Sequence, residues 1–207
     1  MKILAIDVGL LHLASIFVRL ANDYLERKDV ILEEEISLCD LVDITELVSE
    51  CKDPNCELYH DKIICDYMMH LFKKFRTTFE AADLILVERQ PPTGLVAVQE
   101  LIMREYRSKS LLISPTAMLN FFGILHFEYL ERKDHTEQIA MKYLGSLKVF
   151  VFNERRHDMA DAFCILYYYL SIKRKEHQEK LKKLEFETLN KQFIGNLEQF
   201  KYIPDID

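Results

Sequence analysis

The most constraining feature of this sequence is an apolar run that opens with two acidic residues three positions apart. Asp158 and Asp161 precede residues 162–170, which are apolar or aromatic throughout and contain neither glycine nor proline. At about 100° per residue, a helix would place the two carboxylates about 60° apart on one face. Burying unpaired carboxylates costs several kcal/mol, so we expect this pair at a helix start or around a shared cation. The alternative without a metal is an acidic first turn that complements the helix dipole.

Two further acidic residues stand at the ends of apolar segments elsewhere in the chain. Residues 2–8 form an aliphatic, β-branched run with Asp7 near its end, and residues 83–87 lead in the same way to Glu88. Both runs are typical of buried, parallel strands, and the ends of such strands present functional groups in open α/β sheets. Each acid alone is compatible with a solvated strand end. Three acidic positions in separate segments predict one converging site.

Composition is that of a single globular domain and does not exclude a nucleic-acid partner. The chain has 207 residues, of which 49% are hydrophobic and 29% charged, with a net charge of −7. Residues 23–61 carry thirteen acidic and three basic residues, which leaves a net charge of +3 elsewhere. Phosphate contacts are made by Lys and Arg, and the basic residues that flank the acidic segments are Arg89, Arg104, Arg107, Lys109, Arg132, Lys133, Arg155 and Arg156.

Cysteine usage and hydropathy predict a soluble, intracellular protein without membrane association. The five cysteines are odd in number and irregularly spaced, which argues against a disulfide framework and fits a reducing compartment. The amino terminus lacks the pattern of a secretory signal, and the longest apolar run, residues 162–170, is too short to span a bilayer.

Periodicity and turn signals predict five strands and several helices. The predicted strands span residues 2–8, 10–20, 30–38, 83–88 and 110–114, with the first three as an antiparallel meander. The predicted helices span residues 58–79, 95–109, 115–123 and a segment from the cap Asp134 to Gly145, followed by a last long helix after Arg155-Arg156-His157. Residues 125–130 are predicted to be extended, and residues 149–152 to be a brief apolar segment.

Cysteine and histidine residues cluster in residues 39–66, the segment whose sequence gives the weakest indication of secondary structure. Cys51, Cys56, His60 and Cys65 offer the thiolate and imidazole ligands that suit a structural zinc ion, although their spacing matches no standard zinc finger. The alternative is that Cys65 packs into the core on an amphipathic helix.

The order and spacing of the acidic residues resemble those of a known family. Asp7 on a first strand, Glu88 in a Glu-Arg-Gln motif after an apolar strand, and Asp158-x-x-Asp161-Ala at a helix start are similar to the four-carboxylate pattern of RuvC-type Holliday junction resolvases. These enzymes belong to the RNase H-like superfamily. The likeness is closer to the branch found in poxviruses, other large DNA viruses and fungal mitochondria.

The resemblance covers about residues 1–20 and 83–172, with further matches and two departures. The further matches are Ile113-Ser114-Pro115 after the fifth strand and Arg132-Lys133 before the penultimate helix. The departures are Leu11 and His12, where the family often has Lys and Asn, and Asp134 and His135, where it often has a basic run. His12 is either a strand histidine or a substrate contact. The departures put local DNA contacts in doubt and leave the carboxylates unchanged.

The resemblance implies an α/β, RNase H-like fold with a five-stranded mixed sheet, three antiparallel strands then two parallel, flanked by helices. It implies a single nuclease domain over residues 1–207, with a variable acidic insert at about 39–57 and a basic C-terminal helical extension at about 173–207. The helix at about 94–109 corresponds to one used for dimer contacts in the family. The basic run at residues 173–183 is either a solvated helix end or a DNA contact.

The resemblance also implies a Mg²⁺-dependent DNA endonuclease. Asp7, Glu88, Asp158 and Asp161 would bind two Mg²⁺ ions about 4 Å apart, with Mn²⁺ as a substitute. Lys133, near the scissile phosphate, and His157, in proton transfer, complete the candidate catalytic residues, although each is also explained as a surface residue. The candidate DNA-binding residues are Arg89, Gln90, Arg132, Lys133, Arg155 and Arg156.

The expected activity is resolution of four-way DNA junctions by paired symmetric nicks, made by a twofold homodimer. The alternatives are an RNase H-like nuclease that acts on other branched or flapped DNA, and a non-catalytic DNA-binding scaffold. A sugar-kinase or actin-like ATPase would need several glycine-rich phosphate loops, which five glycines in the whole chain do not provide. If the chain is viral, the resemblance places it in the host cytoplasm, at a viral factory.

Overall fold

A five-stranded mixed sheet forms the centre of the computed structural model, which describes residues 1–200, with side chains described through residue 191. The strands are β1 (Lys2–Asp7), β2 (Leu13–Arg19), β3 (Ile36–Val42), β4 (Leu84–Glu88) and β5 (Ser110–Ile113). Their order in the sheet is β3-β2-β1-β4-β5. Strands β1 to β3 pair antiparallel, whereas β4 pairs parallel with both β1 and β5. The predicted sheet, three antiparallel strands followed by two parallel ones, is confirmed.

Helices cover both faces of the sheet. In chain order they are α1 (Glu46–Ser49), α2 (Ile64–Lys74), α3 (Arg76–Ala81), α4 (Val96–Glu105), α5 (Pro115–Phe121), α6 (Tyr129–Leu144), α7 (Lys148–Val151) and α8 (Arg156–Phe200). Helices α1 to α4 share one apolar core with the sheet, and α5 to α8 share the other. Burial of apolar surface on both faces explains why the central strands are almost continuously hydrophobic.

The alternation of side chains along the strands decides on which face the acidic residues lie. Ala5 of β1 packs in the core beneath α8, whereas its neighbour Ile6 packs in the core beneath α2. Because successive side chains point to opposite faces, Asp7 points towards α8. Leu86 of β4 also packs beneath α8, so Glu88, two residues later, lies on the same side.

The third strand lies later than predicted. The predicted strand at residues 30–38 is wrong in position, because the strand that pairs with β2 is Ile36–Val42. Val30 and Ile31 are buried, but they belong to a loop that leads into a 3₁₀ helix, Glu33–Glu35. Their apolar character therefore marks a loop packed on the core. Residues 39–42 of the predicted acidic insert lie in β3.

Glu35 explains why this loop does not continue as a strand. Its carboxylate is only 7% exposed and accepts hydrogen bonds from the backbone N–H groups of Ala21 (2.8 Å) and Leu32 (2.9 Å). Arg27 donates to both carboxylate oxygens at 3.0 Å. Burial raises the pKa of Glu35, but these donors outweigh it and leave the pKa below its usual value. The buried carboxylate thus fixes the segment between β2 and β3.

The predicted helix at residues 58–79 begins later and is broken. It begins at Ile64, and a break at Phe75 separates α2 from α3. Cys65 is exposed at the start of α2, so the prediction that it packs in the core is wrong. It also lies outside the group that brings Cys51, Cys56 and His60 together, and His70 takes its place there. The helical pattern predicts that Cys65 faces inward, but Cys65 is only the second residue of α2 and is exposed there.

The predictions for residues 125–130 and for the cap at Asp134 are wrong. Helix α6 begins at Tyr129, and Asp134 is an exposed residue in its second turn. The Glu131 carboxylate accepts a hydrogen bond from the backbone N–H of Glu128 at 3.1 Å, and so satisfies a donor at the helix start. The capping pair is therefore Glu128 and Glu131, which have the same spacing as the predicted pair Asp134 and Glu137.

The last helix carries Asp158 in its first turn and continues to Phe200. Residues 173–200 of the predicted basic extension are therefore helical, and residues 201–207 lie outside the described part of the chain. Over residues 1–200, none of the helices combines the length and the apolar character needed to cross a bilayer.

Candidate active site

Four carboxylates come together where β1, β4 and α8 meet. Ile6 and Val87 are paired in the parallel register of β1 and β4, so the next residues, Asp7 and Glu88, are neighbours. Helix α8 packs across both strands and supplies Asp158 and Asp161 from its first two turns. Asp7, Asp158 and Asp161 each offer one oxygen, and these three oxygens lie within 4.8 Å of one another. Glu88 lies beside this group through a hydrogen bond with Asp7.

The pKa of Asp7 is raised well above its usual value. Burial is the largest cause, and the negative charges of Glu88 and Asp161 add to it. Burial also raises the pKa of Glu88, although its hydrogen bond with Asp7 opposes the shift. Burial and mutual repulsion therefore disfavour the state in which both carboxyl groups are ionised. This accumulation of negative charge favours the binding of a cation.

Lys133 of α6 supplies a positive charge inside the acidic group. Its ammonium donates hydrogen bonds to Asp161 and, at 3.4 Å, to Asp158. Burial lowers the pKa of this ammonium, but Asp161, Asp7 and Asp158 outweigh the effect and raise the pKa above its usual value. The Tyr129 ring lies 5.6 Å from the ammonium and faces it. Lys133 is therefore held in its charged form.

Arg155 and His157 flank Asp158 at the start of α8. The Arg155 guanidinium lies 2.9 and 3.0 Å from Asp158 Oδ2, and His157 Nε2 lies 3.3 Å from Asp158 Oδ1. Asp158 is 6% exposed, so these contacts fix the position of a buried carboxylate. Arg156, by contrast, points away and pairs with Glu137 at 2.8 Å.

Two glutamines hold the turn that follows β4. The Gln90 amide donates to Glu88 Oε2 at 2.7 Å, and the backbone N–H of Gln90 donates to Gln99 Oε1 at 2.7 Å. The backbone N–H of Leu95 donates to Gln90 Oε1 at 3.2 Å. Glu88 is therefore oriented by the Gln90 amide, whose oxygen accepts from Leu95 and whose backbone N–H is held by Gln99.

An open cleft of about 880 Å³ lies above the carboxylates. The residues of the predicted site that line it are Asp7, Glu88, Arg89, Gln90, Arg132, Lys133, Arg155, Asp158 and Asp161. His12 also lines it, whereas Arg156 and His157 do not. The structure thus brings one acidic cluster together beneath a rim that carries three arginines, and it leaves Arg156 on the outside.

Sequence reasoning missed two polar residues that support the site. Gln99 is 5% exposed at a position of α4 where Val98 and Ile102 are fully buried, and a lone amide on an apolar face was the available signal. Thr136 is 1% exposed in the cleft wall and donates to the Lys133 carbonyl at 3.0 Å. A Thr three residues after a Lys on a helix carries no comparable signal.

Comparison with known proteins identifies the architecture around this cleft. The structure of the fowlpox virus resolvase with its substrate Holliday junction DNA superposes with a TM-score of 0.57, at 12% identity, over 83% of this chain and 97% of the other. The yeast mitochondrial Holliday junction resolvase gives a TM-score of 0.56, at 17% identity, over 88% of this chain and 85% of the other. This chain has the Holliday junction resolvase fold.

The resolvase fold agrees with the resemblance seen in the acidic motifs, which is therefore confirmed at the level of architecture. The fowlpox virus resolvase without DNA gives a similar result, with a TM-score of 0.55, 12% identity, and coverage of 83% of this chain and 99% of the other. No protein-family model matches the sequence, and no curated protein matches it significantly. Structural likeness at such low identity is expected when the core pattern is kept and the surface is not.

Proposed function

We propose that this chain is a metal-dependent DNA endonuclease that resolves four-way junctions by paired symmetric nicks. The observation that carries the proposal is the convergence of Asp7, Asp158 and Asp161, with Glu88 alongside, at the base of an open cleft in a resolvase fold. Acidic surface groups are common, but a buried pair of carboxyls with raised pKa values is not a favourable arrangement without a cation.

The donor set fits Mg²⁺. All candidate ligands are carboxylates, and hard oxygen donors are the ligands that Mg²⁺ and Mn²⁺ prefer, whereas zinc favours nitrogen and sulfur. We propose that Asp7, Glu88, Asp158 and Asp161 would hold two Mg²⁺ ions, because Asp7 lies beside both Glu88 and the α8 pair. When bound, the metal would activate water and neutralise charge on the phosphate.

The protein's own residues would position the reacting groups and balance their charge. Gln90 holds the Glu88 carboxylate, and Arg155 holds the Asp158 carboxylate. Lys133 maintains a positive charge at the carboxylates, where it can stabilise negative charge that develops on a phosphate oxygen. His157 remains a candidate for holding a proton near Asp158, at 3.3 Å from its carboxylate.

The cleft rim is the proposed DNA contact. Arg89, Arg132 and Arg155 line it, and together with Lys133 they place positive charge around the acidic base. Most of the excess acidic charge of the chain lies between residues 23 and 61, away from these positions in sequence. We further propose that the basic part of α8, residues 173–183, extends this contact along the phosphate backbone.

The proposed assembly is a twofold homodimer, because two symmetric nicks need two identical sites. Helix α4 is a candidate for the contact, since Ala97, Glu100 and Arg104 are exposed along it. We also propose an intracellular location, in the host cytoplasm if the chain is viral, since a reducing compartment fits its free cysteines. Light scattering during gel filtration, with and without junction DNA, tests the dimer.

The decisive experiment is a cleavage assay with nick mapping. Synthetic four-way junctions, flaps and plain duplexes of equal length are incubated with the protein and Mg²⁺. We expect symmetric nicks on opposing strands of the junction, with 5′-phosphate and 3′-hydroxyl ends, and no cleavage by Asp7→Asn. Asp134→Asn, the same chemical change at an exposed position of α6, should cleave like the wild type.

Other outcomes separate the alternatives. Efficient cleavage of flaps with little cleavage of junctions would favour an RNase H-like nuclease with another substrate. Junction binding without any cleavage, together with equal and negligible Mg²⁺ binding by wild type and Glu88→Gln in calorimetry, would favour the scaffold.

A further inference from the structure

A second group of possible metal ligands lies in the helical layer on the other side of the sheet. Cys51, Cys56, His60 and His70 each offer one ligand atom, and these four atoms lie within 4.8 Å of one another. The group joins the irregular segment after α1 to the middle of α2, and it is separate from the acidic cluster. It plays no part in the proposed nuclease chemistry.

The distances within the group match those between the ligands of a tetrahedral zinc ion. With Zn–S of about 2.3 Å and Zn–N of about 2.0–2.1 Å, tetrahedral angles place two nitrogens about 3.3 Å apart and a sulfur and a nitrogen about 3.6 Å apart. His60 Nε2 and His70 Nε2 are 3.2 Å apart, and Cys56 Sγ and His70 Nε2 are 3.8 Å apart. The side chains therefore already surround a space of the right size.

The surroundings of the group support zinc binding. His70 Nδ1 lies 2.8 Å from the Asp66 carbonyl, so it carries the proton and leaves Nε2 free to act as a ligand. The Lys73 ammonium lies 3.5 Å from Cys56 Sγ, so a side chain of α2 also holds the part of the loop that carries Cys56. The Asp66 carboxylate accepts from the backbone N–H of Asp61 at 2.7 Å and so holds the segment beside His60.

Residues 50–63 have few other interactions that would hold them in one conformation. Between Ser49 and Ile64 the chain has no helix or strand, and none of residues 50–63 is buried. A loop of this length with no apolar anchor pays a large entropy cost on ordering. Zinc bound by three ligands from the loop and one from α2 would offset that cost.

We propose that Cys51, Cys56, His60 and His70 bind a structural zinc ion that fixes residues 50–63 against α2. This site differs from the one suggested by the sequence in one ligand, because His70 takes the place of the exposed Cys65. Cys65 and His70 lie close together on α2, so variants of these two residues can show which of them is the fourth ligand.

The test is metal analysis of the full-length protein, purified without chelator in a thiol-containing buffer. We expect about one zinc per chain in the wild type and in Cys65→Ser, and less than a tenth of that in Cys56→Ser and His70→Asn. Asp7→Asn should keep its zinc, which separates this site from the nuclease centre. Zinc retained by His70→Asn, or lost from Cys65→Ser, would overturn the assignment.

A second measurement covers the case in which a variant does not fold. Wild-type protein is stripped with a zinc chelator and titrated with Co²⁺. We expect saturation at one equivalent, with the visible absorption of tetrahedral cobalt and a near-ultraviolet thiolate charge-transfer band, both abolished by added Zn²⁺. Absence of the thiolate band, or bands typical of octahedral cobalt alone, would exclude the site. Stripping should also increase proteolysis within residues 50–63.

Discussion

Lys133 of α6 donates a hydrogen bond to Asp161 of α8, so a protein cation lies within the acidic cluster that we propose as a metal site. Helices α6 and α8 pack closely against each other, and this ion pair is partly buried at their junction. The ammonium balances part of the charge of the carboxylates. It also competes with a divalent cation for the same oxygens, which links metal affinity to the position of one lysine.

Lys133→Met should separate metal binding from catalysis. Loss of the ammonium removes a competing positive charge, so Mg²⁺ affinity should rise about tenfold, while cleavage at saturating Mg²⁺ should fall at least tenfold. Calorimetry and single-turnover cleavage measure the two effects. Lys142→Met, at an exposed position of the same helix, should change neither. Weaker Mg²⁺ binding by Lys133→Met would contradict the competition.

Asp7→Asn should stabilise the metal-free protein while abolishing cleavage. The raised pKa of Asp7 means that its ionised form destabilises the fold, so the neutral amide should raise the free energy of unfolding by about 1–2 kcal/mol at pH 8. Wild-type stability should therefore increase as pH falls through the raised pKa towards about 4, the ordinary value, and Asp7→Asn should lose this component.

Urea unfolding without metal measures these differences, with Asp134→Asn as the control. Added Mg²⁺ should stabilise the wild type and have little effect on Asp7→Asn, because the variant lacks a central ligand. A less stable Asp7→Asn variant at pH 8 would show that this carboxylate supports the fold and is not strained by its neighbours.

Arg89 and Arg132 should contribute to DNA affinity through phosphate contacts. Each change to Gln should weaken junction binding about three- to tenfold in Ca²⁺, which permits binding without cleavage, and should lower the salt dependence by about one unit of slope. Arg76→Gln is the matched control, because Arg76 is exposed on α3 and does not line the cleft. Fluorescence anisotropy over a range of salt concentrations provides the measurement. Equal slopes in all variants would place the DNA elsewhere.

Glu35→Gln should destabilise the fold without a direct effect on the site. The carboxylate accepts two backbone N–H groups and pairs with Arg27, so its loss should lower the free energy of unfolding by about 1–3 kcal/mol at pH 7. The folded-state pKa is lowered, so this contribution is complete above the ordinary value of about 4.3 and disappears as pH falls through the folded-state value. Urea unfolding at pH 7 and at decreasing pH follows the difference. Exposed Glu34→Gln should show none of it.

The elements that the sequence predicted well are those in which local pattern and tertiary environment agree. Strands β1 and β4 are short apolar runs that are buried on both faces, so hydrophobicity alone marks them. Strand β3 lacks this property, because one of its faces is only partly covered and Asp40 interrupts its pattern. The more apolar Val30 and Ile31 match a strand pattern better, although they pack on the core from a loop.

The acidic residues could be found from the sequence because strand burial and the Asp-x-x-Asp helix start are local patterns, and the resemblance of these motifs to a known family implied the fold class. The sequence did not determine which cations lie among those acids, or that His70 rather than Cys65 completes the Cys and His group. Those contacts join residues that are far apart in the chain, or they depend on where a helix begins. Only the packing of α6 on α8, and of the loop at residues 50–63 on α2, decided them.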